Sequence, residues 1–195
     1  TANADTVELL AGNDVYSGLA GNDTIYGGAG NDNPLGGTGD DLIYGGDGDD
    51  GIDANQGADT LIGGAGADTF SGGMETLDGD TIVDFDAEEG DVVRTSEKVD
   101  QEDISLTVEN GNTTVDIDLD GDGTAEASFT LVGEYSSSTV DTADSEHADS
   151  YIQFHKTTEV TATPGDDSLI GTDGDDTITG LAGNDTIDGG AGNGL

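Results

Sequence analysis

The chain has 195 residues, with 3 Lys and Arg against 44 Asp and Glu, no Cys, and a formal net charge of −41. Three basic residues cannot form the cationic surface that binding to nucleic acids or anionic membranes requires. No apolar run approaches the roughly 18 residues of a membrane helix. The absence of Cys excludes disulfides and thiolate metal sites. A hydrophobic content of 32% with this charge is typical of a disordered chain, unless the sequence contains a regular pattern.

The first part of the sequence does contain a pattern, because aspartates recur there at every ninth position. These residues are Asp5, Asp14, Asp23, Asp32, Asp41, Asp50, Asp59 and Asp68. A glycine stands two residues before each of the last seven, and a residue that is usually large and apolar stands two residues after each. The unit GGxGxDxUx predicts a glycine-rich turn followed by a very short x-U-x strand with U pointing inward. Two units then make one coil of 18 residues.

Stacked coils place the apolar residues in two inward columns. The first column is Val7, Ile25, Ile43 and Leu61, and the second is Tyr16, Pro34, Ile52 and Phe70. Pro34 has no N–H for a strand ladder, so we expect a local defect or a register adjustment there.

Four large side chains are predicted to project outward beside the first column. They are Tyr26, Leu42, Tyr44 and Ile62. Two interpretations stay open: the middle segment or a neighbouring module covers this strip, or the strip binds a saccharide or a partner protein.

Stacking also brings aspartates 18 residues apart into one crevice, where unpaired carboxylates would repel each other. The pairs are 5/23, 14/32, 23/41, 32/50, 41/59 and 50/68, with 167/185 near the C-terminus. Ca²⁺ fits such crevices because it takes six to eight oxygen ligands, whereas Mg²⁺ prefers a smaller octahedral shell and zinc would need Cys or clustered His. Seven pairs predict up to about seven calcium ions. The pattern is weakest around Asp59, where Ala54-Asn55 replaces the Gly-Gly pair.

Residues 74–160 lose the nine-residue period and become rich in strand patterns. Alternation over 104–108 and 114–119, on either side of Asn110-Gly111, predicts a hairpin, and a further strand is predicted over 127–132. We expect a β-rich element that caps the open end of the coil stack. Ser, Asp and Thr dominate residues 136–149 and predict a mobile loop.

The nine-residue phase returns with Asp167, Asp176 and Asp185, each with its glycine and apolar partner. The predicted organisation is therefore an eight-repeat array over 1–73, a capping segment over 74–160 and the start of a second array over 161–195.

Gly-Gly-x-Gly-x-Asp nonapeptides, as in Gly27 to Asp32 and Gly45 to Asp50, resemble those of the RTX (hemolysin-type) calcium-binding family. The resemblance implies a right-handed parallel β-roll, export by a type I secretion system and folding outside the cell on meeting calcium. It also implies ion ligation by carbonyls at the first, third and fifth positions of the motif. The fifth positions that also carry a polar side chain are Asn13, Asn22, Asn31, Asp40 and Asp49.

We therefore expect a non-catalytic calcium-binding module of a secreted or cell-surface bacterial protein. The order of repeats, cap and new repeats also resembles the R-modules of alginate (mannuronan) C5-epimerases, which makes an accessory polysaccharide-binding module one alternative. An adhesin or surface-layer segment, or the tail of a secreted protease or lipase, fits the same pattern. No nucleic-acid partner and no membrane insertion are expected.

Overall fold

A computed structural model describes residues 3–141, 149–156, 159–172 and 176–190. The first repeat array forms one strand per repeat. These strands are β1 (Thr6–Glu8), β2 (Val15–Ala20), β3 (Thr24–Ala29), β4 (Asn33–Thr38), β5 (Leu42–Asp47), β6 (Gly51–Gln56), β7 (Thr60–Ala65) and β8 (Thr69–Gly72).

Successive strands alternate between two parallel sheets, so that each coil contributes one strand to either sheet. In the first sheet Ile25 pairs with Ile43 and Ile43 with Leu61, and in the second Tyr16 pairs with Pro34 and Ile52 with Phe70. All members of both columns are buried except Val7 and Tyr16 in the first coil, which are half-buried. The predicted all-β parallel roll of 18-residue coils and its two apolar columns are confirmed.

Most of these strands are six residues long, which is longer than the predicted triplets. They continue through the first three residues of the next motif, as in the pairings of Gly28 with Gly46 and Ala29 with Asp47, because glycine lets the adjacent coils approach closely enough to pair. Pro34 still lies opposite Tyr16 in the pairing of β2 with β4, but the pairing of β4 with β6 begins only at Leu35. The expected local defect is present, without a shift of register.

The middle segment continues both sheets. Its elements are the helix α1 (Met74–Leu77) and the strands β9 (Thr81–Ile82), β10 (Val92–Thr95), β11 (Ile104–Glu109), β12 (Asn112–Ile117), β13 (Ala127–Val132), β14 (Tyr135–Asp141) and β15 (Ser150–Lys156), with a 3₁₀ turn at Gln101–Asp103. The first sheet runs from β7 through β9, β13 and β12 to β11, and the second runs from β8 through β10 and β15 to β14.

The predicted hairpin is confirmed. Strands β11 and β12 pair antiparallel, with Glu109 opposite Asn112. The two residues between them, Asn110 and Gly111, have φ values of 56° and 82°. Positive φ at both central residues is the requirement of a type I′ hairpin turn.

Five aromatic rings close the end of the roll that faces the middle segment. Phe85 packs edge-on against Tyr135 and Phe154, while Phe70 and Phe129 extend the cluster on either side. All five rings are buried. A thin core that holds one apolar residue per strand thus widens into an ordinary hydrophobic core at the cap.

The prediction of a mobile loop near 136–149 is wrong over its first part. Residues 136–141 belong to β14, which pairs antiparallel with β15 and packs Val140 against the core. Ser and Thr are compatible with an edge strand once a partner strand supplies the hydrogen bonds. Residues 142–148 lie outside the described part of the chain.

The second array forms short parallel pairs with the same spacing of 18 residues. Strand β16 (Glu159–Thr161) pairs with β18 (Thr177–Thr179), and β17 (Ser168–Ile170) pairs with β19 (Thr186–Asp188). A second β-roll therefore begins here, as expected. Within the described ranges, no helix has the length and apolar character needed to cross a bilayer.

Candidate metal centres

The repeated aspartates form a hydrogen-bonded ladder along the roll. The backbone N–H of each aspartate donates to Oδ1 of the aspartate 18 residues later, as from Asp23 to Asp41 at 2.7 Å and from Asp32 to Asp50 at 2.7 Å. The same bond joins all seven pairs expected from the sequence, including Asp167 and Asp185. The structure therefore brings together the predicted pairs, and in each pair Oδ1 of the later aspartate points toward the backbone N–H of the earlier one.

The second oxygen of these carboxylates is the unusual feature. In the part of the chain that the structure describes, seven buried Oδ2 atoms have no hydrogen-bond partner. They belong to Asp23, Asp32, Asp41, Asp50, Asp59, Asp68 and Asp80. Buried polar atoms are normally paired, and an unpaired buried carboxylate oxygen is costly. Seven such atoms, six of them at the same motif position, indicate that a cation belongs beside them.

Glycine at the first motif position provides the space. A Cβ on Gly45 would lie 2.5 Å from the carbonyl oxygen of Gly63 and closer still to Oδ2 of Asp50. The same convergence of carboxylate and carbonyl oxygens recurs at Gly18, Gly27 and Gly36. Each cradle thus offers oxygen ligands of both kinds that Ca²⁺ accepts, and it is open only because no side chain fills it.

Two ligand candidates lie outside the nine-residue phase. Asp59 N–H donates to Oδ1 of Asp80, 21 residues later, and Asp68 N–H donates to Oδ1 of Asp91, 23 residues later, both at 2.9 Å. Both side chains are buried. Oδ2 of Asp91 accepts the N–H of Asp86, which leaves Asp80 as the unpartnered member. The signal in the sequence is the D-x-U triplet, which Asp80 and Asp91 share with the repeats although the spacing changes.

The polar side chains at the fifth motif position point away from the cradles. Asn13, Asn31, Asp40 and Asp49 are exposed, and Oδ1 of Asn13, Asp40 and Asp49 accepts the N–H of the fifth residue in the next coil. Asn22 is exposed as well. The side chains of Asn13, Asp40 and Asp49 therefore help to join successive coils.

The repeat around Asp59 differs from its neighbours as the sequence indicates. Ala54 places a buried methyl group at the first motif position, and Asn55 adopts a φ of 70°, which glycine tolerates better. Oδ2 of Asp59 is nevertheless buried and without a partner among the described residues.

In the second array, threonines satisfy two of the carboxylates directly. Thr163 donates its N–H and hydroxyl to Asp167, and Thr172 does the same for Asp176. Asp185 keeps the ladder bond from Asp167.

Burial raises the pKa of four carboxyls at the cap end of the ladder. The pKa rises to about 6 for Asp59 and Asp91, to about 7 for Asp68 and to about 8 for Asp80. The ladder N–H bonds oppose this rise, and neighbouring carboxylates add to it. Without a cation, burial therefore favours the protonated form of these four carboxyls.

We expect acid to stabilise the calcium-free fold. These carboxyls have pKa values above the ordinary 3.8, so the folded chain binds more protons than the unfolded chain. Their contribution to the free energy of unfolding is fully present below about pH 4 and is lost as the pH rises through 6 to 8. Circular dichroism in chelator should show the β signal increasing from pH 8 to pH 5, and Asp80→Asn should reduce this dependence. A signal that is independent of pH would contradict the expectation.

The predicted outward strip is assembled on one face of the first sheet. The rings of Tyr26 and Tyr44 stack with centroids 4.7 Å apart, and Tyr44 pairs with Ile62 on the next strand. Tyr26 is 38% exposed, whereas Leu42, Tyr44 and Ile62 are half-buried. Binding by this strip stays a prediction.

Among solved structures, one that this chain matches is the solution structure of the AlgE6R3 subunit of the mannuronan C5-epimerase from Azotobacter vinelandii. It has 24% identity and a TM-score of 0.34 over 68% of this chain and 72% of that chain. No curated protein sequence matches. The RTX calcium-binding nonapeptide repeat matches in four copies, over residues 2–33, 35–61, 52–74 and 161–195, which together make up more than half of the chain. The chain therefore belongs to the RTX calcium-binding nonapeptide repeat family.

Proposed function

We propose that this chain is a non-catalytic module that folds when it binds extracellular calcium. The observation that carries the proposal is the stack of buried Oδ2 atoms, each without a partner in the described chain. Five of the seven lie beside a glycine cradle, whereas Asp59 has Ala54 at that position and Asp80 lies outside the repeats. Calcium would supply the positive charge that lets these carboxylates stay ionised in the interior. The protein's own residues hold the ion by presenting carboxylate and carbonyl oxygens from successive coils.

The ligands of the proposed sites are the sixth-position aspartates together with Asp80. The sixth-position set is Asp5, Asp14, Asp23, Asp32, Asp41, Asp50, Asp59, Asp68, Asp167, Asp176 and Asp185. The fifth-position residues contribute through carbonyls. Up to about seven ions are proposed for the stacked loops.

The proposed setting is outside the cell or on its surface, after type I secretion. A net charge of −41 disfavours compaction while calcium is scarce, and millimolar calcium removes that barrier. The proposed units are 1–73, 74–160 and 161–195. Handling of alginate or another polysaccharide beside a separate catalytic domain, and a role as an adhesin or surface-layer segment, stay predictions. The three cationic side chains of the whole chain give little support for a direct grip on a polyanion.

The experiment that tests this function is a calcium titration by isothermal calorimetry, with native mass spectrometry to count the ions. We expect up to about seven bound calcium ions and at least about tenfold weaker binding of Mg²⁺, which keeps its waters in so irregular a site. Absence of binding at millimolar calcium, or equal binding of both metals, would contradict the proposal.

The variant Asp80→Asn extends the titration to the junction with the cap. Asparagine retains an oxygen for the N–H of Asp59 but not the charge, so we expect the loss of about one ion. Asp78→Asn is the matched control, because Asp78 is exposed and its Oδ1 accepts the N–H of Ser128, as an amide oxygen also can. An unchanged ion count in Asp80→Asn would remove Asp80 from the ligand set.

A further inference from the structure

The last cradle of the first array, at Gly63 and Asp68, lacks an oxygen that the other cradles have. In the cradles at Gly36 and Gly45, a Cβ would lie 2.6 Å and 2.5 Å from a carbonyl oxygen of the next coil. At Gly63 the three nearest atoms of the described residues are instead Oδ2 and Cγ of Asp68 and a ring carbon of Phe70. This cradle therefore offers a carboxylate oxygen but no carbonyl oxygen at the usual distance.

Asp84 lies at the position from which the absent oxygen would come. It follows Gly63 by 21 residues, which is the offset that pairs β7 with β9, so it is the counterpart of Gly63 in the next coil. Its carboxylate turns back onto the cradle, where Oδ1 accepts the N–H of Gly63 at 2.9 Å and Oδ2 accepts the N–H of Gly64 at 3.0 Å. Two carboxylates therefore meet at Gly63, that of Asp68 where a Cβ would be and that of Asp84 at the N–H.

These two carboxylates have no counter-charge within the described ranges. Asp68 is 1% exposed, and its Oδ2 has no hydrogen-bond partner there. Burial raises the pKa of Asp68, and the negative charge of Asp84 is among the further causes, so the two groups lie close enough to repel each other. The ion pairs formed by described residues use Arg94 and Lys98 with other partners. A buried carboxylate in this state requires a cation.

The carboxylate of Asp84 keeps the capacity to bind a cation. An ionised carboxylate has about four lone-pair sites, and the N–H groups of Gly63 and Gly64 occupy two of them. Ca²⁺ accepts carboxylate oxygens as readily as carbonyl oxygens, and its affinity depends on the number of charged ligands. A second carboxylate therefore compensates for the carbonyl oxygen that this cradle lacks.

We propose that the carboxylate of Asp84 replaces the carbonyl ligand of the repeats and, together with Oδ2 of Asp68, binds a calcium ion that joins the roll to its cap. This inference rests on the proposed function and adds a ligand that lies outside the nine-residue phase. Asp68 is two residues before Phe70 and Asp84 is one residue before Phe85, and the centroids of these two rings are 6.2 Å apart. The ion therefore binds beside the aromatic rings that close the roll.

The test in solution compares calcium binding by the whole chain and by its Asp84→Asn variant, with calorimetry for affinity and native mass spectrometry for the ion count. Asparagine keeps an oxygen for one N–H group but not the charge, so we expect the loss of one ion, or at least about tenfold weaker binding at one site. Asp49→Asn is the matched control, because Asp49 is exposed and its Oδ1 accepts the N–H of Ala67 away from the cradles. It should bind as many ions as the unchanged chain.

A crystal structure of the unchanged chain with calcium gives a second readout, which does not depend on the folding of a variant. The ion at Asp68 should have an oxygen of Asp84 at about 2.3–2.6 Å, the usual Ca–O distance. The inference is overturned if that ion does not contact Asp84, if the other cradles hold ions and this one does not, or if Asp84→Asn keeps the full ion count and affinity. A chain that binds no calcium in any cradle would overturn the proposed function as well.

Discussion

Removal of calcium by a chelator at pH 8 should convert the folded roll into an expanded chain. Seven buried carboxylate oxygens have no partner in the described structure, and each uncompensated buried charge costs several kcal/mol. That sum exceeds the roughly 5–15 kcal/mol by which domains are stable. Small-angle scattering should show the radius of gyration rising from roughly 16 Å, expected for a compact chain of this length, toward roughly 47 Å. Circular dichroism should lose its β signal.

The same experiment contains its own control. Adding calcium in excess of the chelator should restore both the β signal and the compact radius, whereas the same concentration of Mg²⁺ should not. A chain that stays compact and β-rich in chelator at pH 8 would show that the folded carboxylates are satisfied in some other way. The proposed coupling of folding to calcium would then be wrong.

Gly45→Ala should remove one ion and destabilise the calcium-loaded roll by at least about 2–3 kcal/mol. The added methyl group would lie 2.5 Å from the carbonyl oxygen of Gly63 and would intrude on Oδ2 of Asp50, so either the coils separate or the cradle closes. Gly45 is not among the residues with positive φ, so the backbone itself admits alanine. Urea denaturation in saturating calcium measures the change in stability, and calorimetry measures the number of ions.

Gly189→Ala is the matched control for this variant. Gly189 occupies the same motif position, but the residue five places later is Gly194 rather than Asp, and a Cβ at Gly189 would meet nothing within 4 Å. We expect a change below about 0.5 kcal/mol, as for substitutions away from special features. If Gly45→Ala were as mild as Gly189→Ala, the cradle would not be where the ion binds.

The repeat made most of this architecture predictable from the sequence. A strict period leaves one way to stack coils, so that Ile25, Ile43 and Leu61 had to share a column and Asp23 and Asp41 had to meet. The Asn110-Gly111 turn was equally readable, because few residue pairs adopt positive φ at both positions. At these positions the repeat period or the local turn chemistry alone determines the structure.

The features that the sequence did not reveal depend on tertiary contacts. Asp80 and Asp91 join the ladder 21 and 23 residues after their partners instead of 18, a spacing that the closing coils determine. The outward direction of Asp40 and Asp49 follows from the amides that the next coil offers them. Residues 136–141 form a strand because β15 lies beside them, although their composition is typical of a loop.

Because successive coils pair in the same register, coils can be added to or removed from the roll without changing how the remaining coils pack. Each coil contacts only its neighbours, and the ladder bond from Asp23 to Asp41 is the same as that from Asp41 to Asp59. Inserting or deleting 18 residues would therefore leave the aromatic cap unaltered while changing the ion capacity by two cradles. Under the proposed function, calcium capacity therefore scales with the number of repeats, and duplication of repeats alone would adjust it.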